Sequence, residues 1–191
     1  MRSHGRRSVP SIAKIVAFNA DFSRPDFGTD DLNFSHMRDE VGLFVHVAWP
    51  VNVNISLASF EPHIAGLQNL LDFSISVRRP KPALFFFCSS ISTAWNMPSA
   101  SVPEGPIEDF SNASSTGYGQ SKLVAEHIVR NAARKCAHAY VLRIGQVVGH
   151  LKSGVWNDKE FIPAMIRSTL TLKPLPDLQE VSIRSPHSLS P

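Results

Sequence analysis

Two almost unbroken apolar runs restrict the chain more than any other feature. Gly42-Leu43-Phe44-Val45-His46-Val47-Ala48-Trp49 is one, and Ala83-Leu84-Phe85-Phe86-Phe87-Cys88 is the other. Neither alternates apolar with polar residues, as a strand with one wet face would. Such runs belong to central strands of a parallel sheet covered on both faces. Between them, Phe60, Ile64, Leu67, Leu70, Leu71 and Phe73 recur at helical spacing within 59–76. A second helical pattern covers 118–135, and Ala139–Gly145 reads as a further strand. Strand and helix alternate, so the expected fold is α/β, a Rossmann-type parallel sheet with flanking helices. Ala13–Phe18 reads as one more short strand, 30–40 as a short polar helix, and a helical stretch ends near Leu172. The expected organisation is a disordered start at 1–12, one partial domain at 13–172 and a Pro/Ser-rich disordered tail at 173–191.

The second apolar run ends in Ser89-Ser90, and the helix at 118–135 opens Tyr118-Gly119-Gln120-Ser121-Lys122. Residues four apart share a helix face, so Tyr118 and Lys122 stand one turn from each other. An ammonium beside a phenol favours the phenolate, and such a phenol can pass a proton to or from a carbonyl or alcohol oxygen. The spacing alone also suits an ordinary surface pair. A strand that delivers a serine, then a loop, then this helix start makes a three-residue constellation of Ser90, Tyr118 and Lys122. Alternate strand residues face opposite ways, so only one of Ser89 and Ser90 can join it.

Composition excludes several functions. A chain of 191 residues with 43% hydrophobic content can build a core, and a net charge of +3 gives little reason to expect nucleic acid. No apolar stretch reaches the roughly 18 residues of a membrane span, and the N-terminus lacks a signal-peptide core. Cys88 and Cys136 lack metal-ligand spacing and suggest a reducing compartment, so no metal and a cytoplasmic location are expected.

Several stretches together resemble the extended short-chain dehydrogenase/reductase family. They are His46-x-Ala48-Trp49-Pro50-Val51-Asn52, Ser59–Ile64, Ser89–Ser92, Gly117–Glu126, Leu142–Gln146 and Gly154–Asn157. The nearest branch is the terminal thioester reductase domain of fungal carboxylic acid reductases and non-ribosomal-peptide-synthetase-like proteins. The resemblance implies NADPH as cofactor and an acyl thioester on a phosphopantetheine-bearing carrier domain as partner. It implies reduction to an aldehyde or alcohol. By the same resemblance Tyr118 protonates the developing oxyanion, Lys122 holds the nicotinamide ribose, and Ser90 donates to the substrate oxygen. Asp21 would lie near the adenine, although an aspartate there also suits a turn. Ala48 would back the cofactor, and Gly145 would pass the nicotinamide ring.

One signature of such folds is missing. The ten glycines allow neither Gly-x-Gly-x-x-Gly nor Gly-x-x-Gly-x-x-Gly, the loop that holds a pyrophosphate at a helix N-terminus. The expectation is therefore a domain without its first βαβ unit: a fragment, a mis-spliced gene model or a degraded copy. Weak or no NADPH binding follows from it. In a sheet ordered 3-2-1-4-5-6 the lost strands are central, so 13–18 could not reach its usual neighbours. Two other readings stay open: an extended-family enzyme acting on a sugar or steroid, and a non-catalytic interaction protein.

Overall fold

The structure is a computed structural model describing residues 15–99 and 101–172. The chain falls into two compact units, Met1–Gly145 and Gln146–Pro191. The first unit holds a three-stranded parallel sheet in the order β1-β2-β3, formed by Leu43–His46, Leu84–Ser90 and His138–Ile144. This is the Rossmann-type α/β arrangement expected. Helix α1, Asp31–Glu40, precedes β1; α2, Glu61–Ser76, and α3, Gly117–Lys135, carry the chain between successive strands.

Both crossover helices are amphipathic and lie on one face of the sheet. From α2, Leu67, Leu70, Leu71 and Phe73 are buried; from α3, Leu123, Ala125 and Val129. All but Leu123 cluster with Phe85 and Phe87, the inward residues of β2, which are fully buried, while Leu123 packs with Ala94, Ile107 and Ala113. Each such side chain contributes about 1.5–3 kcal/mol by leaving water. Phe27, Phe34, Phe44 and Phe73 continue this core, mostly edge-on, with ring centroids 5.0–5.7 Å apart. Their geometry adds to the burial.

The other face differs from the expectation that both would be covered. Leu43, Val45, Leu84, Tyr140, Leu142 and Ile144 are 39–57% exposed. They alternate with the buried set, as strand geometry requires, and no described element lies over them. Of the expected strand at 13–18, the described residues 15–18 form none. Residues 15–20 have no regular structure, Ile15 and Val16 are exposed, and β1 pairs only with β2 among the described residues. An apolar run needs a ladder partner to become a strand, and this one has none. Positions 13 and 14 lie outside the described residues, as do the terminal segments 1–12 and 173–191.

Helix α3 begins where its sequence dictates. Thr116 is the N-cap, its Oγ1 accepting from the Gly119 N–H at 3.2 Å, and Arg134 and Lys135 occupy the negative C-terminal end. Gly117 is required by close approach: a Cβ there would strike the backbone of Ile55, Ser56 and Leu57. The second unit contains a turn in which the His150 N–H donates to the Val155 carbonyl. Its described residues also include α4, Phe161–Leu172, none of whose residues is buried.

Candidate active site

β2 ends at Ser90, and Ser90 also begins the next turn. Its Oγ accepts from the Ser92 N–H at 3.1 Å, capping a short 3-10 helix at Ile91–Ala94. The hydroxyl is half-buried at the strand tip, on the side opposite Ser89.

Lys122 lies against that tip. It is 3% exposed, and its Nζ donates to the Cys88 carbonyl at 2.6 Å. Aromatic rings surround it, with centroids 4.7 Å (Phe87), 4.9 Å (Trp49) and 5.9 Å (Tyr118) from Nζ. Ring faces attract a cation, which offsets part of its lost hydration. Burial nevertheless pushes the Lys122 ammonium down from 10.5 to about 8, against the pull of Cys88 and Glu126. Tyr118 is half-buried one turn above, at the open end of the row. The Tyr118–Lys122 pairing read from helical spacing is therefore present, and it sits beside the tip that carries Ser90.

The remaining sequence candidates lie around this centre with less engagement. Ala48 is exposed just beyond β1 and lines a cavity of about 290 Å³ with Phe22, His46 and Val47. Gly145 is exposed just beyond β3; a Cβ there would come no closer than 3.9 Å, to Ile91. That places the β3 exit beside the residue that follows Ser90. Asp21 is exposed and forms a local turn. Its Oδ1 accepts from the Ser23 N–H at 3.0 Å and the Ser23 Oγ at 2.6 Å, and these bonds hold its carboxyl below the usual range. In this structure its carboxylate serves the turn.

Five residues of the site are not singled out by spacing: Trp49, Ser121, Glu126, Arg143 and His46. Trp49 donates from Nε1 to Ser121 Oγ at 3.1 Å, and that hydroxyl donates to the Tyr118 carbonyl at 2.8 Å. This chain ties the β1 exit to the first turn of α3. Glu126 is 5% exposed and accepts from Ser89 Oγ at 2.5 Å. It also accepts a fork from Arg143, whose Nη2 is 2.6 Å and Nε 3.0 Å away. His46 is buried, and its Nε2 has no hydrogen-bond partner. Burial, and then the nearby Lys122 charge, push His46 down to about 4, so it is neutral at pH 7. A helix-face signal was available for Glu126, four residues after Lys122. Nothing local marked the others.

No helix among the described residues is long and apolar enough to cross a membrane.

Comparison with known proteins gives this geometry a lineage. Residues 3–183 match the NAD-binding family described as male sterility protein. The chain is 40% identical over 179 residues to a carboxylic acid reductase of Neurospora crassa, covering 92% of this chain and 17% of that protein. It is 38% identical to the adenylate-forming reductase Nps10 of Heterobasidion annosum, covering 89% and 16%. It thus spans about a sixth of the length of these relatives. Among solved structures, the terminal R domain of the myxalamid PKS-NRPS pathway superposes with a TM-score of 0.66 at 25% identity, over 80% of this chain and 39% of that one. A thiolation-reductase di-domain from an archaeal non-ribosomal peptide synthetase shares the fold, with a TM-score of 0.58. The chain belongs to the male sterility protein family of NAD-binding domains, alongside the reductases of carboxylic acid and non-ribosomal-peptide-synthetase-like enzymes.

Proposed function

We propose that this chain carries the reducing site of an NADPH-dependent thioester reductase, acting on an acyl group held by a phosphopantetheine-bearing carrier domain. The observation that carries the reading is the seating of Lys122 on the Cys88 carbonyl, two residues before Ser90 in β2, with the Tyr118 ring centroid 5.9 Å from its Nζ. One relative is by its name a carboxylic acid reductase and one structural neighbour a terminal R domain of a PKS-NRPS pathway, which favours an acyl substrate over a sugar or steroid.

The residues present fit the nicotinamide-ribose end of the cofactor. Lys122 spends one N–H on the Cys88 carbonyl and keeps two for a ribose hydroxyl. Ala48 and Gly145 present small, exposed positions at the strand ends, where a flat ring can approach. The described residues offer no glycine-rich turn for a pyrophosphate, and weak cofactor affinity is expected of this chain. What NADPH supplies when bound is the hydride that adds to the acyl carbonyl carbon.

Tyr118 gives its proton to the oxygen of that carbonyl as charge develops there. Lys122, held at fixed distance by Cys88, keeps the positive charge beside the phenol. Ser90 Oγ accepts from the Ser92 N–H, which leaves its own proton free to donate to the same oxygen. Loss of the pantetheine thiol then leaves an aldehyde.

The test uses the full chain with an acyl-pantetheine thioester and millimolar NADPH, reading absorbance at 340 nm and aldehyde by hydrazone capture. Aldehyde formation that stops in Tyr118→Phe supports the reading. Equal turnover by Tyr118→Phe, or activity on nucleotide sugars and none on the thioester, overturns it.

A further inference from the structure

Tyr118, Lys122 and Glu126 stand at successive four-residue steps along one face of α3. About 12 Å of helix axis separates the first from the last. Lys122 grips the backbone of Cys88, while Glu126 grips the side chain of Ser89. Adjacent residues of β2, leading straight to Ser90, are therefore held by two charged groups of one helix. Glu126 has a second hold: Arg143, the penultimate residue of β3, binds it through two nitrogens and is itself mostly buried. Gly145 lies two residues further on. One carboxylate of α3 thus binds both β2 and β3.

We propose that Glu126 is a positioning residue, a clamp that sets the depth and rotation of α3 against the β2 tip and so fixes Tyr118 relative to Ser90. The proposal rests on the reductase reading above. Bidentate Arg–carboxylate bonding is directional, which makes the clamp a register device as well as a source of stability. A slide of one residue moves Tyr118 by about 1.5 Å and turns it by about 100°. Misplacement of about 1 Å can cost on the order of a hundredfold in rate.

The test compares the full-length wild type with Glu126→Gln and Glu126→Asp. Gln keeps the shape and loses the charge; Asp keeps the charge and loses the reach to Ser89 and Arg143 together. Circular dichroism establishes folding below the melting temperature. Thioester turnover then gives kcat and KM separately, and NMR of ¹³C-labelled lysine follows the titration of Lys122, assigned by its loss in Lys122→Arg. Both variants are expected to fold, to lose about tenfold or more in kcat with KM within about threefold, and to shift the Lys122 midpoint away from about 8. Unchanged kcat in folded Glu126→Gln, with only a lower melting temperature, overturns the proposal. Wild-type behaviour of Glu126→Asp overturns it too, because charge alone would then suffice. If the wild type itself shows no turnover, the reductase reading fails, and an unchanged Lys122 midpoint in both variants separately overturns the clamp. Should either variant not fold, Ser89→Ala removes one hydroxyl from the clamp; a wild-type kcat and Lys122 midpoint in it overturn the proposal.

Discussion

Replacing Lys122 by methionine converts the central feature of the site into a measurable pH dependence. In the folded chain burial lowers the Lys122 pKa from 10.5 to about 8. Between those values the unfolded state binds more protons than the folded state, so stability rises with pH. The penalty for burying the ammonium is fully present below pH 8 and disappears as pH climbs past 10.5. Integrated from pH 7 to pH 9.5, this shift gives the wild type at most about 2 kcal/mol. Lys122→Met has no such group, yet keeps the length that fills the space among Trp49, Phe87 and Tyr118. All other side chains are common to the two proteins, so the difference between them reads the lysine. Urea unfolding at both pH values reads it. Methionine is expected to be the more stable form at pH 7, with its advantage shrinking by about 2 kcal/mol at pH 9.5. A difference constant within about 0.5 kcal/mol would refute the argument that this ammonium is held out of water.

Three further outcomes follow. Tyr118→Phe is expected to lower thioester turnover about 10²–10⁴-fold and Ser90→Ala about 10²–10³-fold, both in kcat, by stopped-flow at 340 nm. His46 is depressed to about 4 by burial, so the unfolded state binds the extra proton between pH 6.5 and 4, and stability falls through that window by up to about 3 kcal/mol. His46→Phe should flatten that acid limb in urea melts, and an unchanged limb contradicts the burial. Gly117→Ala places a methyl group against the backbone of residues 55–57, and thermal melts should show a loss of about 1–3 kcal/mol.

The sequence disclosed those parts of the fold that depend on local rules. Burial of Phe85 and Phe87 follows from an unbroken apolar run, and the pairing of Tyr118 with Lys122 follows from helical pitch. β2 runs through Ser90, and the Ser89 hydroxyl within it is satisfied by a buried carboxylate. What stayed hidden is long-range. Trp49 and Ser121 are 72 residues apart, and Ser89 and Glu126 are 37 apart; no spacing links such partners before the sheet exists. Residues 13–18 mislead for the complementary reason. Their composition favours a strand, but strand formation is a property of pairs, and 15–20 has no ladder to join.

The row formed by Tyr118, Lys122 and Glu126 also sets what lengths this polypeptide tolerates. A residue gained or lost between 118 and 126 would put phenol, amine and carboxylate out of phase with each other, and no rotamer change spans a third of a turn. The stretch from 95 to 109 answers to no such pitch and can grow or shrink. Insertions and deletions in kindred genes should therefore gather upstream of Thr116 and leave codons 117–126 uninterrupted.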